Sequence, residues 1–133
     1  MDVLELQVIS KLRATPSEGR AAPPDPGRHT VPVLCNGSME LRWFKPDGPD
    51  PQTPHDRDEM YFIASGHGLF MRARDAMPIG DDVSLPVTGE ERVQFKAGDV
   101  LFVPAGTEHR FEEMSEDFGC WIVFYGPEGG EHT

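Results

Sequence analysis

The sequence predicts an all-β domain, closed as a barrel or folded as a two-sheet jelly roll, and three observations predict it. From Val31 onward, short runs of β-branched, aromatic and aliphatic residues are divided by clusters of Gly, Pro and Asp, the rhythm of strands and turns. The 14 Gly and 13 Pro in 133 residues are high for this length and call for many turns. About nine such runs fall in a chain with room for one domain, and so many short strands leave unpaired edges unless the sheet closes or doubles.

Residues 1–28 read as an amino-terminal strand or extended arm. Val3 to Leu12 alternate loosely and suit an edge strand or a short helix. Thr15 to Arg28 carries Pro16, Gly19, Pro23, Pro24, Pro26 and Gly27, a composition expected to sustain neither a ladder nor a helix. Residues 29–126 carry the barrel. Its expected strands are Val31 to Cys35, Met39 to Lys45, Glu59 to Ala64, Gly68 to Arg74, Val83 to Val87, Arg92 to Lys96, Val100 to Val103, Glu108 to Met114 and Gly119 to Tyr125. Met39, Leu41 and Trp43 share one face of the second run and charged residues the other, the pattern of a half-buried strand. Asn36-Gly37 is the best hairpin signal among the turns, which include Ser65-Gly66, Ala97-Gly98-Asp99 and Ala105-Gly106. Residues 127–133 end in Gly-Gly-Glu-His-Thr and read as a flexible tail.

Charge excludes some partners. With 12 Lys and Arg against 23 Asp and Glu, the net charge of −11 sets up a field that repels phosphate backbones and anionic membranes, so nucleic acid is not expected. No apolar run reaches the roughly 20 residues of a membrane helix, and the acidic start does not resemble a signal peptide. Cys35 and Cys120 form no Cys-x-x-Cys pair and suit a reducing compartment, so a cytoplasmic protein is expected.

Two segments carry chemistry. In Thr53-Pro54-His55-Asp56-Arg57-Asp58-Glu59-Met60-Tyr61-Phe62-Ile63, His55 and Glu59 are an even number of positions apart and emerge on one face of an extended chain, where they can converge on an ion. Tyr61 and Ile63 continue that face inward. In Gly98 to Phe111, a Gly-Asp turn feeds an apolar strand, Pro104 and Gly106 make a tight reversal, and His109 opens the next strand.

These segments resemble the two motifs of the cupin superfamily. The second motif runs Gly, five residues, Pro-x-Gly, two residues, His, three residues, Asn; Gly98, Pro104, Gly106 and His109 stand at those spacings and Glu113 replaces the Asn. The first runs His-x-His, three or four residues, Glu, six residues, Gly; His55, Glu59 and Gly66 match it, and Thr53 stands where the first histidine belongs. The resemblance implies a double-stranded β-helix, or jelly-roll barrel, holding a divalent metal (Fe, Mn, Ni or Zn) on His55, Glu59 and His109. Thr53 or Gln52 would be a weak fourth ligand, a neutral hydroxyl or amide beside carboxylate and imidazole, so three protein ligands are expected.

Two imidazoles and a carboxylate with open positions suit non-haem Fe(II). The function implied is a metal-dependent dioxygenase or isomerase of a small polar metabolite, with Tyr61, Ile63 and Phe111 lining the substrate pocket and no acid or base evident beyond the ligands. The alternative is a sensor or storage cupin that holds a metal or metabolite without turnover. A plainer reading stands beside each residue: a lone strand histidine is usually a hydrogen-bonded structural group, the glycines serve turns, most of the aromatics fill core, and Asp56, Arg57 and Asp58 form a solvated charge cluster. Small cupins commonly pair, and an amino-terminal arm bearing Val3, Leu4, Leu6, Val8 and Ile9 suits addition to a neighbour's sheet edge, so a homodimer is expected.

Overall fold

A computed structural model describes residues 9–24, 29–46, 54–74, 77–79, 82–87 and 89–131, with 77–79 and 82–87 described by their backbone alone. Along them run α1 (Pro16–Ala21), β1 (Thr30–Asn36), β2 (Met39–Phe44), β3 (Asp58–Ser65), β4 (His67–Ala73), β5 (Met77–Ile79), β6 (Asp82–Val87), β7 (Glu90–Lys96), β8 (Val100–Val103), β9 (His109–Met114) and β10 (Gly119–Tyr125). Antiparallel pairing gives a five-stranded sheet in the order β1-β2-β10-β3-β8, a three-stranded sheet β7-β4-β9 and a hairpin β5-β6. The expected strands correspond to all of these but β5, whose three residues centre on Pro78 and are too few to show alternation.

The two larger sheets face each other across an aromatic core. The Phe111 ring on β9 lies 4.9 to 5.5 Å from the rings of Phe44, Tyr61, Phe70, Phe95 and Phe118. Register explains which β3 residues reach this core: Glu59, Tyr61 and Ile63 pair with Phe124, Ile122 and Cys120 on β10, all buried. Gly66, which follows β3, has φ +82°, and a Cβ there would stand 2.6 Å from the Phe118 Cα, so this motif glycine is required by conformation and by space.

Two expectations are corrected. The stretch from Thr15 to Arg28 does not stay extended, because Thr15 and Glu18 close a capping box around α1 with Pro16 in its first turn. The helix lies on the outer face of β1 and β2, where a Cβ on Gly19 would collide with Trp43. The second correction concerns β2. Trp43 is buried, yet it packs outward with Val31, Val33 and Trp121 beneath the helix. The charged face points inward instead: Arg42 and Glu40 pair in register with Ile122 and Phe124, the core side of β10. Their polarity is satisfied there by Arg42 to Glu40 at 2.9 Å, Arg42 to the Thr30 hydroxyl at 3.0 Å and Arg57 to Glu40 at 2.6 Å.

That network has a pH signature. Burial pushes the Glu40 carboxyl up, but hydrogen bonds and charge from Arg57 and Arg42 outweigh it and hold it below its ordinary 4.5. A carboxyl that binds its proton less tightly folded than unfolded stabilises the fold fully above its unfolded value and loses that contribution as pH falls through the folded one. The urea midpoint of the metal-free protein is therefore expected to drop as pH falls through and below the ordinary glutamate range. Glu40→Gln should flatten that drop; an unchanged slope would contradict the network.

Of the two cysteines, Cys35 is half-buried and Cys120 buried. Among the described residues no helix is long and apolar enough to cross a membrane.

Candidate metal centre

His109 opens β9 almost fully buried, and its Nδ1 lies 2.8 Å from the Thr107 carbonyl. A carbonyl oxygen can only accept, so Nδ1 carries the proton and donates it. The Nε2 end faces the interior, 2.8 Å from Glu59 Oε1 and 3.0 Å from the Tyr61 hydroxyl. Fixing a histidine tautomer from behind with a carbonyl is what a metal-binding imidazole needs.

Glu59 is 0% exposed, held between Val103 on β8 and Phe124 on β10. Its Oε1 also lies 3.0 Å from His55 Nδ1, while its Oε2 is buried and finds no hydrogen-bond partner among the described residues. Burial pushes this carboxyl up, and the hydrogen bonds and charge of His109 and His55 more than reverse that, so it is held below the usual glutamate range. His55 sits in the loop before β3, its side chain 36% exposed, with its ring against Phe124. Convergence thus comes from the loop, not from the strand parity that the extended-chain reading assumed.

Two backbone clamps bring these distant segments together. The Gly106 N–H donates to the His55 carbonyl at 2.6 Å, so the reversal at Pro104 and Gly106 grips the loop that carries the first imidazole. Asp58 accepts from the Ala105 N–H at 2.9 Å and from the Glu131 N–H at 3.0 Å. Asp58 is therefore a buried backbone cap, not part of a solvated cluster. Arg57 likewise pairs with Glu40 and lies over the Phe124 ring.

The donor set fits a divalent cation. The ligating atoms of His55, Glu59 and His109 all lie within 4.8 Å of one another. Metal–N and metal–O bonds of about 2.0–2.2 Å place donors at right angles about 3 Å apart, and the contacts at Glu59 Oε1 are 2.8 and 3.0 Å. The unpartnered Oε2 marks a charged group whose environment is incomplete. Without a cation, a proton shared between His109 Nε2 and Glu59 fills the same junction.

The other expected site residues fall differently. Thr53 and Gln52 lie outside the described residues. Tyr61 reaches the centre through its hydroxyl, whereas Ile63 and Phe111 lie in the packed core. A cavity of about 330 Å³ opens between β4, β7 and β8, and Phe70, Arg72, Val93 and Leu101 are among its lining residues, while Ile63 and Phe111 are not. The Phe70 ring lines this cavity and lies 6.2 Å from that of His109. Thr107 escaped the sequence reading because its contribution is a backbone carbonyl, which leaves no trace in residue type. Asp58 had a signal, an acidic residue at a strand start facing a turn, but one shared with any surface carboxylate.

A sequence model described as a cupin domain matches residues 43–125, and the chain belongs to the cupin family. It is similar to an uncharacterized protein of Streptomyces coelicolor, 38% identical over 79 residues that make up 59% of this chain and 60% of that one. It is also similar to an acireductone dioxygenase of Parvibaculum lavamentivorans, 29% identical over 102 residues, 69% of this chain and 49% of that one. The chain thus spans less than two thirds of the length of these curated relatives. Among solved structures, a hydroquinone 1,2-dioxygenase in complex with Cd²⁺ and 4-hydroxybenzonitrile superposes with a TM-score of 0.60 at 17% identity, over 96% of this chain and 85% of that one. At that identity the likeness is one of fold.

Proposed function

We propose that this protein is a metal-dependent dioxygenase of a small metabolite bearing adjacent or conjugated oxygen atoms, with its divalent ion on His55, Glu59 and His109. The observation that carries the reading is the junction at Glu59 Oε1, where two imidazole nitrogens from distant segments meet one buried carboxylate at 2.8 and 3.0 Å. When bound, a divalent ion supplies Lewis acidity and open coordination positions. The chain's part is to orient: Thr107 sets the His109 tautomer, Gly106 holds the His55 loop, and the aromatic rings around Tyr61 exclude water from the inner side. Oxygenation is favoured over isomerisation by the acireductone and hydroquinone dioxygenases that the chain resembles.

The test is metal content followed by turnover. The purified protein should carry, or take up, one equivalent of Fe, Mn, Ni or Zn, and the iron form should consume O₂ with some member of a panel of enediols, catechols and hydroquinones. Failure to hold any transition metal ends the reading. Stoichiometric metal without O₂ uptake favours a second one, a protein that holds a metal or metabolite without turnover, which the missing histidine at Thr53 and the tight packing of Tyr61 and Phe111 support. The proposal extends to a cytoplasmic homodimer; its support is the sequence, which has no Cys-x-x-Cys pair and carries an apolar arm of Val3, Leu4, Leu6, Val8 and Ile9.

A further inference from the structure

We propose that the segment after β10, Pro127 to Glu131, is a strap that positions His55 and so sets how fast the centre releases its ion; the inference rests on the His55–Glu59–His109 reading above. Of the three ligands, His55 has the weakest hold of its own. Glu59 and His109 stand on β3 and β9 and are buried, whereas His55 lies in the loop before β3 with its side chain 36% exposed. The ligand nearest solvent, on the least regular backbone, is the one that lets go first, so whatever fixes this loop also retains the ion.

The strap binds the loop at two of the three residues that follow His55. The Gly129 N–H donates to the Asp56 carbonyl at 2.6 Å, and the Glu131 N–H donates to Asp58 Oδ2 at 3.0 Å. The other oxygen of that carboxylate, Oδ1, accepts from the Ala105 N–H at 2.9 Å. One buried side chain thus ties together the His55 loop, the strap and the reversal at Pro104 and Gly106. At the root of the strap, the Gly126 N–H donates to the Ser38 hydroxyl at 3.3 Å.

The sequence of the strap suits this seat. A bond from the Gly130 N–H to the Pro127 carbonyl at 3.1 Å closes a turn in which Gly129 takes φ +87°, and Gly130 follows at φ +90°. A Cβ on Gly130 would stand 3.0 Å from Asp58 Oδ1 and 3.2 Å from the Ala105 Cβ, so glycine is what lets the backbone lie this close to the loop. Two adjacent glycines lose much freedom on ordering, and no residue of 127–131 belongs to the apolar core. Its bonds to the loop are therefore what order it, and the two segments hold each other. The loop keeps other anchors, from Gly106 to the His55 carbonyl and from Arg57 to Glu40 and Ser38. Lifting the strap therefore loosens the loop without unfolding the barrel, and the effect falls on the rate at which His55 swings out.

Two substitutions in the full chain test this. Gly129→Pro removes the donor to Asp56 and requires a negative φ; Gly130→Val crowds Asp58 and Ala105. Glu128→Ala, at an exposed position of the same turn, is the control. In the metal-free protein, hydrogen exchange read by mass spectrometry should be at least about fivefold faster over residues 54–59 in both variants, the worth of one net hydrogen bond, and unchanged in β4 and β9. Loaded with one equivalent of Zn(II), both variants should release it to a chromogenic chelator at least about fivefold faster than the wild type and Glu128→Ala. Exchange over 54–59 that stays at the wild-type rate in either variant overturns the strap. Faster exchange with unchanged zinc release overturns its hold on the ion. A wild type that takes up no zinc overturns the three-ligand reading and that hold with it, and the exchange measured without metal keeps this failure distinct from failure of the strap.

Discussion

His109→Ala is expected to weaken binding of the divalent metal by at least about 100-fold, more than the loss of an outer hydrogen-bond partner costs a metal site. The reason is double. The substitution removes the one nitrogen whose lone pair is fixed toward the centre by the Thr107 carbonyl, and it strips Glu59 of its closer partner, leaving a fully buried carboxylate with only His55 beside it. Breaking a buried charged pair from one side costs on the order of 3–5 kcal/mol, so the metal-free variant should also unfold at lower urea. Elemental analysis after dialysis against one equivalent of Zn, with His67→Ala as an exposed control, measures the first effect. Retention of stoichiometric metal by His109→Ala would show that this imidazole is a structural group.

Phe111→Ala should lower unfolding free energy by about 3–5 kcal/mol, the range for deleting a buried Phe from a core that cannot collapse around the gap. Phe111 is 3% exposed and its ring touches five others drawn from β2, β3, β4, β7 and the turn before β10. Four of those rings sit on strands of the two sheets and cannot close the cavity without moving their own strand. Urea unfolding gives the value, and a loss under about 1 kcal/mol would mean that the sheets pack around a different centre.

The strands were legible in the sequence because their signals are local: alternation, turn residues and the spacing of Gly98, Pro104, Gly106 and His109 each report on a few neighbouring positions. What sequence could not reveal was which face of a strand is inside when both are covered. On β2 the alternation of Met39, Leu41 and Trp43 with charged residues reads as a half-buried strand, yet α1 covers Trp43 from outside and Glu40 and Arg42 stand on the core side of β10. The helix itself had a readable signature in Thr15-Pro16-Ser17-Glu18, outweighed in the reading by the prolines that follow. For the candidate site, residue type and spacing found His55, Glu59 and His109. They did not find the Thr107 carbonyl, a backbone group that leaves no trace in residue type, or the Asp58 cap, whose role exists only after chain segments 47 positions apart meet.

The bond from the Gly106 amide to the His55 carbonyl has a further bearing on how the centre would choose its ion. Because folding has already met the entropic cost of joining the two loops, an arriving cation finds a preorganised cradle and spends little of its binding energy on ordering the chain. Selectivity then follows the intrinsic ligand preferences of the ions, rising from manganese through iron and nickel toward copper, and cellular supply decides which one is resident.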